Sequence, residues 1–282
     1  MTVLEVIQRS TEFLSKKGVD SPRLQTELLL AHLLGLPRMQ LYLNFERQLS
    51  QIELDHFREL IKRRSQREPL QHIVGSTSFC GLEIAVNRHV LIPRPETELL
   101  AEHGWKFLGG LDRQSTALDL GTGSGCLAIT LAIHCPTAQI FATDISADAL
   151  EVAKQNTVRH GVPDRIHFFQ GNAFAALESP TSFDLIISNP PYIPTAEIST
   201  LQIEVRDYDP RSALDGGPDG LAFYRRIAAE AAPFLEAGGK IMLEFGDGQA
   251  QPVRKIFEAQ KWIVEAILED YTQRARIIIV HG

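Results

Sequence analysis

The sequence predicts an α/β chain: an open, mostly parallel sheet covered by helices, preceded by a small helical bundle and a linking β-hairpin. Three observations carry this. From about residue 116, short apolar runs alternate with helical stretches, the signature of a parallel core. A glycine cluster follows the first of those runs, where a strand must turn into a helix. Over residues 1–70 the apolar residues recur at helical spacing, and from His72 the period falls to two.

The elements follow in order. Leu4, Ile7, Thr11 and Leu14 mark a first helix that Gly18 stops. Ser21-Pro22 opens a second as N-cap and first-turn proline, with a stripe of Leu24, Leu28, Ala31, Leu34 and Leu36, ended by Gly35 and Pro37. Ser50 and Glu53 form a capping box for a third helix through about Arg67, with Leu54, Phe57 and Ile61 on its apolar side and Pro69 closing it. Residues 73–79 and 82–86 flank Cys80-Gly81 as a hairpin. A proline-stiffened linker, Val90 to Glu98, runs into a helix from Glu96 onward. Strands are expected at 116–120, 139–143, 166–170, 183–188, 240–245, 262–268 and 275–280, with helices between most of them. The boundary between modules is expected near residues 70–92.

Composition narrows the function classes. The chain has 282 residues, 44% hydrophobic and 22% charged, which are globular values. No apolar run reaches the roughly 18 residues that span a bilayer, and the amphipathic, acid-containing N-terminus suits neither a signal nor a transit peptide. Cys80, Cys126 and Cys135 are odd in number and lack a CxxC spacing, which argues against disulfides and zinc; no metal is expected. Residues 1–75 carry 11 Lys and Arg against 9 Asp and Glu, leaving 17 against 26 in the remainder. A basic excess usually accompanies binding to phosphate backbones, so no stable nucleic-acid partner is expected, and no membrane partner. The densest basic run, Lys62-Arg63-Arg64 with Arg67, reads first as a solvated face at a helix C-terminus, with a partner-docking patch as the alternative. His72 and His103 have no metal-like partners in the sequence. A cytoplasmic monomer is the expectation.

The chemistry lies after residue 116. Ala117-Leu118-Asp119-Leu120 runs into Gly121-Thr122-Gly123-Ser124-Gly125 and then a helix. Glycines allow a tight turn and close approach of a ligand to the backbone, and the helix start adds free N–H donors. Asp144 ends the next strand, nineteen residues after Gly125, where an acid can accept both hydroxyls of a ribose. The spacing is GxGxG, while dinucleotide sites favour GxGxxG. Asp119 stands where its carboxylate can reach a ligand ammonium group, so the choice between a dinucleotide and S-adenosyl-L-methionine leans to the latter. The D-x-G-x-G-x-G pattern resembles the first motif of the class I S-adenosylmethionine-dependent methyltransferases, a Rossmann-like fold with a mostly parallel seven-stranded sheet.

The strand at 183–188 ends in Asn189-Pro190-Pro191-Tyr192. Two prolines remove two N–H donors and fix φ, which leaves the Pro190 carbonyl and the Asn189 side-chain oxygen as placed acceptors. Such a pair can grip both hydrogens of a planar NH2, with the Tyr192 ring as a flat face beside it. Turn and glycine loop together resemble the amino-methyltransferases, which implies methylation of an exocyclic NH2 of adenine or cytosine, or of a glutamine amide, with Asn189, Pro190 and Tyr192 as the catalytic set.

Further stretches resemble one family, the release factor glutamine methyltransferases (HemK/PrmC type): Ser21-Pro22-Arg23 with Glu27-Leu28-Leu29, Pro69 to Gly75, Leu91 to Glu98, Glu204 to Pro210, Asp219-Gly220-Leu221, and Glu244-Phe245-Gly246 with Gln249. The likeness covers almost the whole chain. It implies methylation of the glutamine in the GGQ motif of class 1 peptide chain release factors, with those factors as partners. It also implies a helical substrate-recognition domain at 1–70, a hairpin linker at 71–92 and a methyltransferase domain at 93–282. By the same resemblance, residues 121–125 surround the methionine part, Asn172 and Ala173 flank the adenine, and Asn189 lies near both methyl group and substrate. Asn189, Pro190, Pro191 and Tyr192 then bind the glutamine. Two positions depart from the family: Asn172 replaces a usual Asp, and Gln273 replaces a frequent Gly. Arg94, Glu96 and Glu98 suit a hinge network better than substrate contact, while Glu204, Arg206 and Asp209 fit a solvated loop or substrate contact equally. The alternatives are a DNA or RNA adenine N6-methyltransferase and a non-catalytic docking module that binds S-adenosylmethionine.

Overall fold

Helix α1 (Val3–Lys16) begins at a capping box: the Thr2 hydroxyl accepts from Glu5 N, and the Glu5 carboxylate accepts from Thr2 N. It is followed by α2 (Pro22–Leu34), α3 (Arg38–Leu43), α4 (Gln51–Ser65) and α5 (Leu70–Val74). The Ser50–Glu53 box opens α4 as its spacing predicts. Val6, Ile7, Leu14, Leu29, Leu30, Phe57 and Ile61 form the buried core of these helices. Two expectations for α2 fail. Ser21 adopts a left-handed φ of 47° and makes no side-chain cap, and the buried face is Thr26, Glu27, Leu29, Leu30 and Ala31, with Leu24 exposed. Glu27 is buried because Arg23 and the Tyr42 hydroxyl donate to its carboxylate, so a polar residue displaces the expected leucine stripe.

The computed structural model describes residues 1–177 and 181–282. The chain forms two units, one of Met1–Ser76 with Gln202–Tyr208, the other of Thr77–Leu201 with Asp209–Gly282.

In the second unit, apart from Ser76, β1 (Ser76–Phe79) and β2 (Leu82–Ala85) pair through Cys80 and Gly81, both at positive φ as a primed hairpin turn requires. The strand does not extend back to residue 73, because Pro69 starts the short helix α5 there and Gly75 ends it. Helix α6 (Pro95–Gly109) leads to β3 (Thr116–Leu120), α7 (Cys126–His134), β4 (Gln139–Asp144), α8 (Ala147–Arg159), β5 (Ile166–Gln170) and β6 (Phe183–Ser188). The chain then enters the first unit as α9 (Ile203–Arg206) and returns through α10 (Arg211–Leu214), α11 (Ala222–Glu230), β7 (Leu235–Glu244), α12 (Ala250–Ala259), β8 (Ile263–Glu269) and β9 (Ala275–His281). Strand β7 begins five residues before the apolar run at 240.

The seven strands order as β5-β4-β3-β6-β7-β9-β8, parallel except where β9 pairs with β7 and β8. Alternate side chains feed two cores. Ala117, Ile140, Leu185 and Ile187 pack with residues of α6, α7 and α8. Leu118, Leu120, Ile186 and Leu243 pack with Tyr224, Ile227, Val253 and Phe257 of α11 and α12. Between β3 and β6 the strand order reverses direction, which opens a crevice at the carboxyl ends of those two strands.

Within the first unit, Arg64 and Arg67 donate to the Glu204 carboxylate at 2.6 to 2.7 Å, and the Tyr208 hydroxyl donates to Gln66 O. Burial opposes the charge on Glu204, but the arginine hydrogen bonds prevail and hold it at about 2. Lys62 is exposed as a solvated face requires, but Arg64 is only 3% exposed and Arg67 is half-buried; an acid distant in sequence allows their burial. Near the C-terminus Gln273 takes a φ of 62°, a left-handed conformation that favours glycine.

Candidate functional site

The crevice is a cleft of about 720 Å³, counting the part open to solvent, and all its lining residues belong to the second unit. Gly121, Gly123, Asp144, Asn172, Ala173, Asn189 and Pro191 line it, as do Leu91 and Pro210, which bound stretches marked by resemblance, and His89 and Phe223, which belong to no motif.

The glycine loop forms because Gly121 N and Thr122 N both donate to Thr143 O, at 2.8 and 2.9 Å, which folds the chain back onto β4. Gly121, Gly123 and Gly125 all have positive φ. A Cβ on Gly121 or Gly123 would meet no atom within 4 Å, so these two leave open space toward the cleft. Gly125 differs: a Cβ there would lie 3.1 Å from the Ala153 Cβ, so this glycine lets α7 pack on α8. Asp144 accepts from Gly123 N and Ser146 N at 2.9 Å each, one bond per carboxylate oxygen, which leaves lone pairs for further donors. Burial is the main cause of its raised pKa.

Asp119, Thr122 and Ser124 are buried behind the loop and do not line the cleft. One Asp119 oxygen accepts from the Thr122 hydroxyl and Ala128 N, while the other is buried with no partner. Burial pushes this carboxyl up to about 7 against those two hydrogen bonds. Asn172 and Ala173 form the wall after β5. The Asn172 side-chain carbonyl accepts from Arg226, and Ala173 is held at a φ of 52°. A side-chain carbonyl already engaged by a guanidinium has one lone pair left for a ligand.

These groups fit S-adenosyl-L-methionine. Open glycines suit a ligand pressed on the backbone, Asp144 has acceptor capacity for ribose hydroxyls, and an orphaned buried carboxylate oxygen on Asp119 suits a cationic amine. Among the described residues no cluster of His, Cys, Asp or Glu is placed to hold a metal ion, and no helix is long and apolar enough to cross a membrane.

The turn after β6 is braced from remote parts of the chain. Asn189 Nδ2 donates to Thr97 Oγ1 at 3.0 Å. The Tyr192 carbonyl accepts from Gln249 Nε2 at 2.8 Å, and Gln249 Oε1 accepts from Gly246 N at 2.9 Å. A Cβ on Gly220 would stand 2.3 Å from the Tyr192 oxygen, and one on Gly216 would stand 2.8 Å from the Pro191 oxygen. These contacts account for the Asp219-Gly220 and Glu244-to-Gln249 stretches, which the sequence marks only by resemblance. Pro190 is buried, and Pro191 and Tyr192 are half-buried. Arg94 donates to the buried Asp209 carboxylate at 2.7 Å, and Glu98 accepts from Cys80 N at 2.9 Å, so both serve as structural ties.

Comparison with known proteins agrees with this geometry. Residues 5–75 match the model described as PrmC N-terminal domain, and residues 97–204 match that described as Methyltransferase small domain. A release factor glutamine methyltransferase of Geobacter sulfurreducens is 46% identical over 91% of this chain and 88% of its own length. One from Chlorobaculum tepidum is 45% identical over 98% of this chain and 95% of its own. The solved structure of a methyltransferase from Pyrococcus furiosus, 20% identical, covers 78% of this chain and 99% of its own with a TM-score of 0.53, a likeness of fold. With the glycine loop, the braced proline turn and these two relatives, each matched over most of its length, the chain belongs to the release factor glutamine methyltransferase family.

Proposed function

We infer that this chain methylates the side-chain amide nitrogen (N5) of the glutamine in the GGQ motif of class 1 peptide chain release factors, using S-adenosyl-L-methionine. The observation that carries the reading is the Asn189-to-Tyr192 turn, pinned at the sheet's switch point beside the glycine loop. When bound, S-adenosyl-L-methionine supplies a methyl group on a positively charged sulfonium.

The residues divide the work. Gly121 and Gly123 give backbone contact, with Thr122, Ser124 and Gly125 shaping their loop. Asp144 takes the ribose hydroxyls, Asp119 the amine, and Asn172 and Ala173 the adenine edge. Asn189 Oδ1 and the Pro190 carbonyl accept the two amide hydrogens of the substrate glutamine, and Pro191 and Tyr192 wall its planar group. An amide nitrogen is a poor nucleophile because its lone pair is delocalised. Two fixed acceptors orient that lone pair and favour the positive charge that grows on nitrogen, which is preorganised electrostatic stabilisation. Tyr192 is not a base: burial, then the nearby Glu244, pushes its hydroxyl up to about 12. The methylated nitrogen is acidic enough to lose its proton to water.

Residues 1–70 are assigned to recognition of the release factor, 71–92 to the hairpin linker and 93–282 to methyl transfer. In support, every residue lining the cleft lies beyond position 88. The helical unit offers instead an apolar groove lined by Val6, Phe13, Phe57 and Ile61, with Arg9, Arg58 and Lys62 along it. We place the protein in the cytoplasm, as a monomer, with release factors as its partners. The test is transfer of labelled methyl to purified release factor carrying GGQ or GGA, and to a short GGQ peptide. Label on GGQ alone, with kcat/KM higher for the intact factor than for the peptide, supports both the reaction and the recognition role. Equal labelling of GGA sinks the assigned substrate.

A further inference from the structure

The register of the sheet pairs Ser188 with Leu243, so Asn189 leaves β6 beside Glu244 at the end of β7. Glu244 is 2% exposed, and one of its oxygens accepts from the Thr97 hydroxyl at 2.7 Å. Thr97, itself 2% exposed, stands in the first turn of α6 and accepts from Asn189 Nδ2. A hydroxyl has a single hydrogen. Once Thr97 gives it to Glu244, only lone pairs remain toward Asn189, and only the NH2 end of that amide can face them. The two ends of a planar amide are opposed, so the carbonyl oxygen is the end left for the cleft that Asn189 lines.

We propose that Thr97 and Glu244 are positioning residues for methyl transfer: the buried carboxylate sets the direction of the Thr97 hydroxyl, and the hydroxyl, with the carboxylate behind it, fixes which way the Asn189 amide is turned. This deepens the reading above and depends on Asn189 Oδ1 gripping the substrate amide. Neither residue touches the substrate. If Glu244 takes up a proton, its own O–H can point at Thr97, the hydroxyl is freed to point at Asn189, and the amide loses its reason to keep one orientation. Burial raises Glu244 to about 7, and Glu96 pushes in the same direction, while the Thr97 and Asn189 hydrogen bonds and the positive charge of Arg276 oppose it. The Tyr192 and Tyr224 hydroxyls are the other titratable groups near it, both neutral through the pH range used below.

The experiment is single-turnover methylation of release factor at saturating cofactor, with cofactor affinity measured by calorimetry. Thr97→Val, which keeps shape and removes the hydroxyl, should slow transfer at least tenfold with cofactor affinity within twofold of the parent. Thr97→Ser should recover most of the rate. In an Asn189→Ala background Thr97→Val should cost under threefold more, because it acts through Asn189. The parent rate should fall severalfold from pH 8 to pH 6, and Glu244→Gln should flatten that fall. A folded Thr97→Val protein with near-parental rate, beside a crippled Asn189→Ala, overturns this inference and spares the reading of the turn. A near-parental Asn189→Ala overturns the reading itself. An unchanged pH slope in Glu244→Gln removes Glu244 from the device.

Discussion

The two walls of the cleft are held in different ways. The glycine-loop wall is braced by its own neighbourhood: Asp119 holds Thr122 and Ala128, three and nine residues away, and Asp144 holds Gly123, twenty-one away. The substrate turn is braced from far along the chain, by Thr97 at a separation of 92 residues and Gln249 at 57, and by Gly216 and Gly220, which let a backbone come within contact of it. A locally braced wall keeps its shape as long as one strand–loop–helix unit is intact. A remotely braced turn keeps its shape only while several layers stay in register, so it is the more exposed to substitutions outside the site.

The largest effect expected from that contrast is at Gly220. An added Cβ would overlap the Tyr192 carbonyl at 2.3 Å, where backbone must move, and the φ of 73° adds about 1 kcal/mol of strain. Gly220→Ala should cut turnover on the order of a hundredfold by displacing the turn, while calorimetry finds cofactor affinity within a factor of about three. A parallel loss of cofactor affinity would show that the walls are not independent. Asn189→Asp conserves size but replaces the NH2 that Thr97 accepts by an oxygen, so two acceptors face each other beside a buried acid. Transfer should slow at least about tenfold, roughly 1.4 kcal/mol or more, with cofactor affinity held or raised. Near-parental single-turnover rates would remove this turn from the chemistry.

The glycine-loop wall should respond in the opposite sense. Asp144→Ala should weaken S-adenosylhomocysteine binding by about 1.5–3 kcal/mol, the range for charge-assisted hydrogen bonds, and leave release factor affinity alone. Unchanged calorimetric affinity would take Asp144 out of the site. A smaller effect is expected from pH. The Asp119 carboxyl lies at about 7, raised by burial, so below that value it must give up a proton before its charge can meet a cationic amine. Cofactor affinity should therefore fall as pH drops through 7, by up to about tenfold per unit. Asp119→Asn should bind more weakly at pH 8 and show no such slope. The same raised carboxyl makes folding stability fall as pH rises from its unfolded value near 4 to about 7, since the folded form binds the extra proton. Thermal melts across that window on Asp119→Asn should lose this part of the slope.

Much of this protein is legible in its sequence. The strand positions, the β1–β2 hairpin turn, the glycine loop and the proline turn follow from short windows of sequence, because apolar periodicity, glycine φ and the missing proline N–H act over a few residues. The helical unit is less legible for the same reason. Glu27 and Arg64 look like solvent-facing residues in their own helices, and partners from elsewhere in the chain, Tyr42 for Glu27 and Gln25 and Glu204 for Arg64, help to make their burial possible. The tertiary structure alone decided that β6 lies beside β3, which brings the two turns to one crevice, and that β7 lies beside β6, which sets Glu244 next to Asn189. Pairing order and register are properties of two distant segments together, fixed by which faces can be buried against each other. A hydrogen bond such as Thr97 to Glu244 exists only after that pairing is made, so no local pattern announces it.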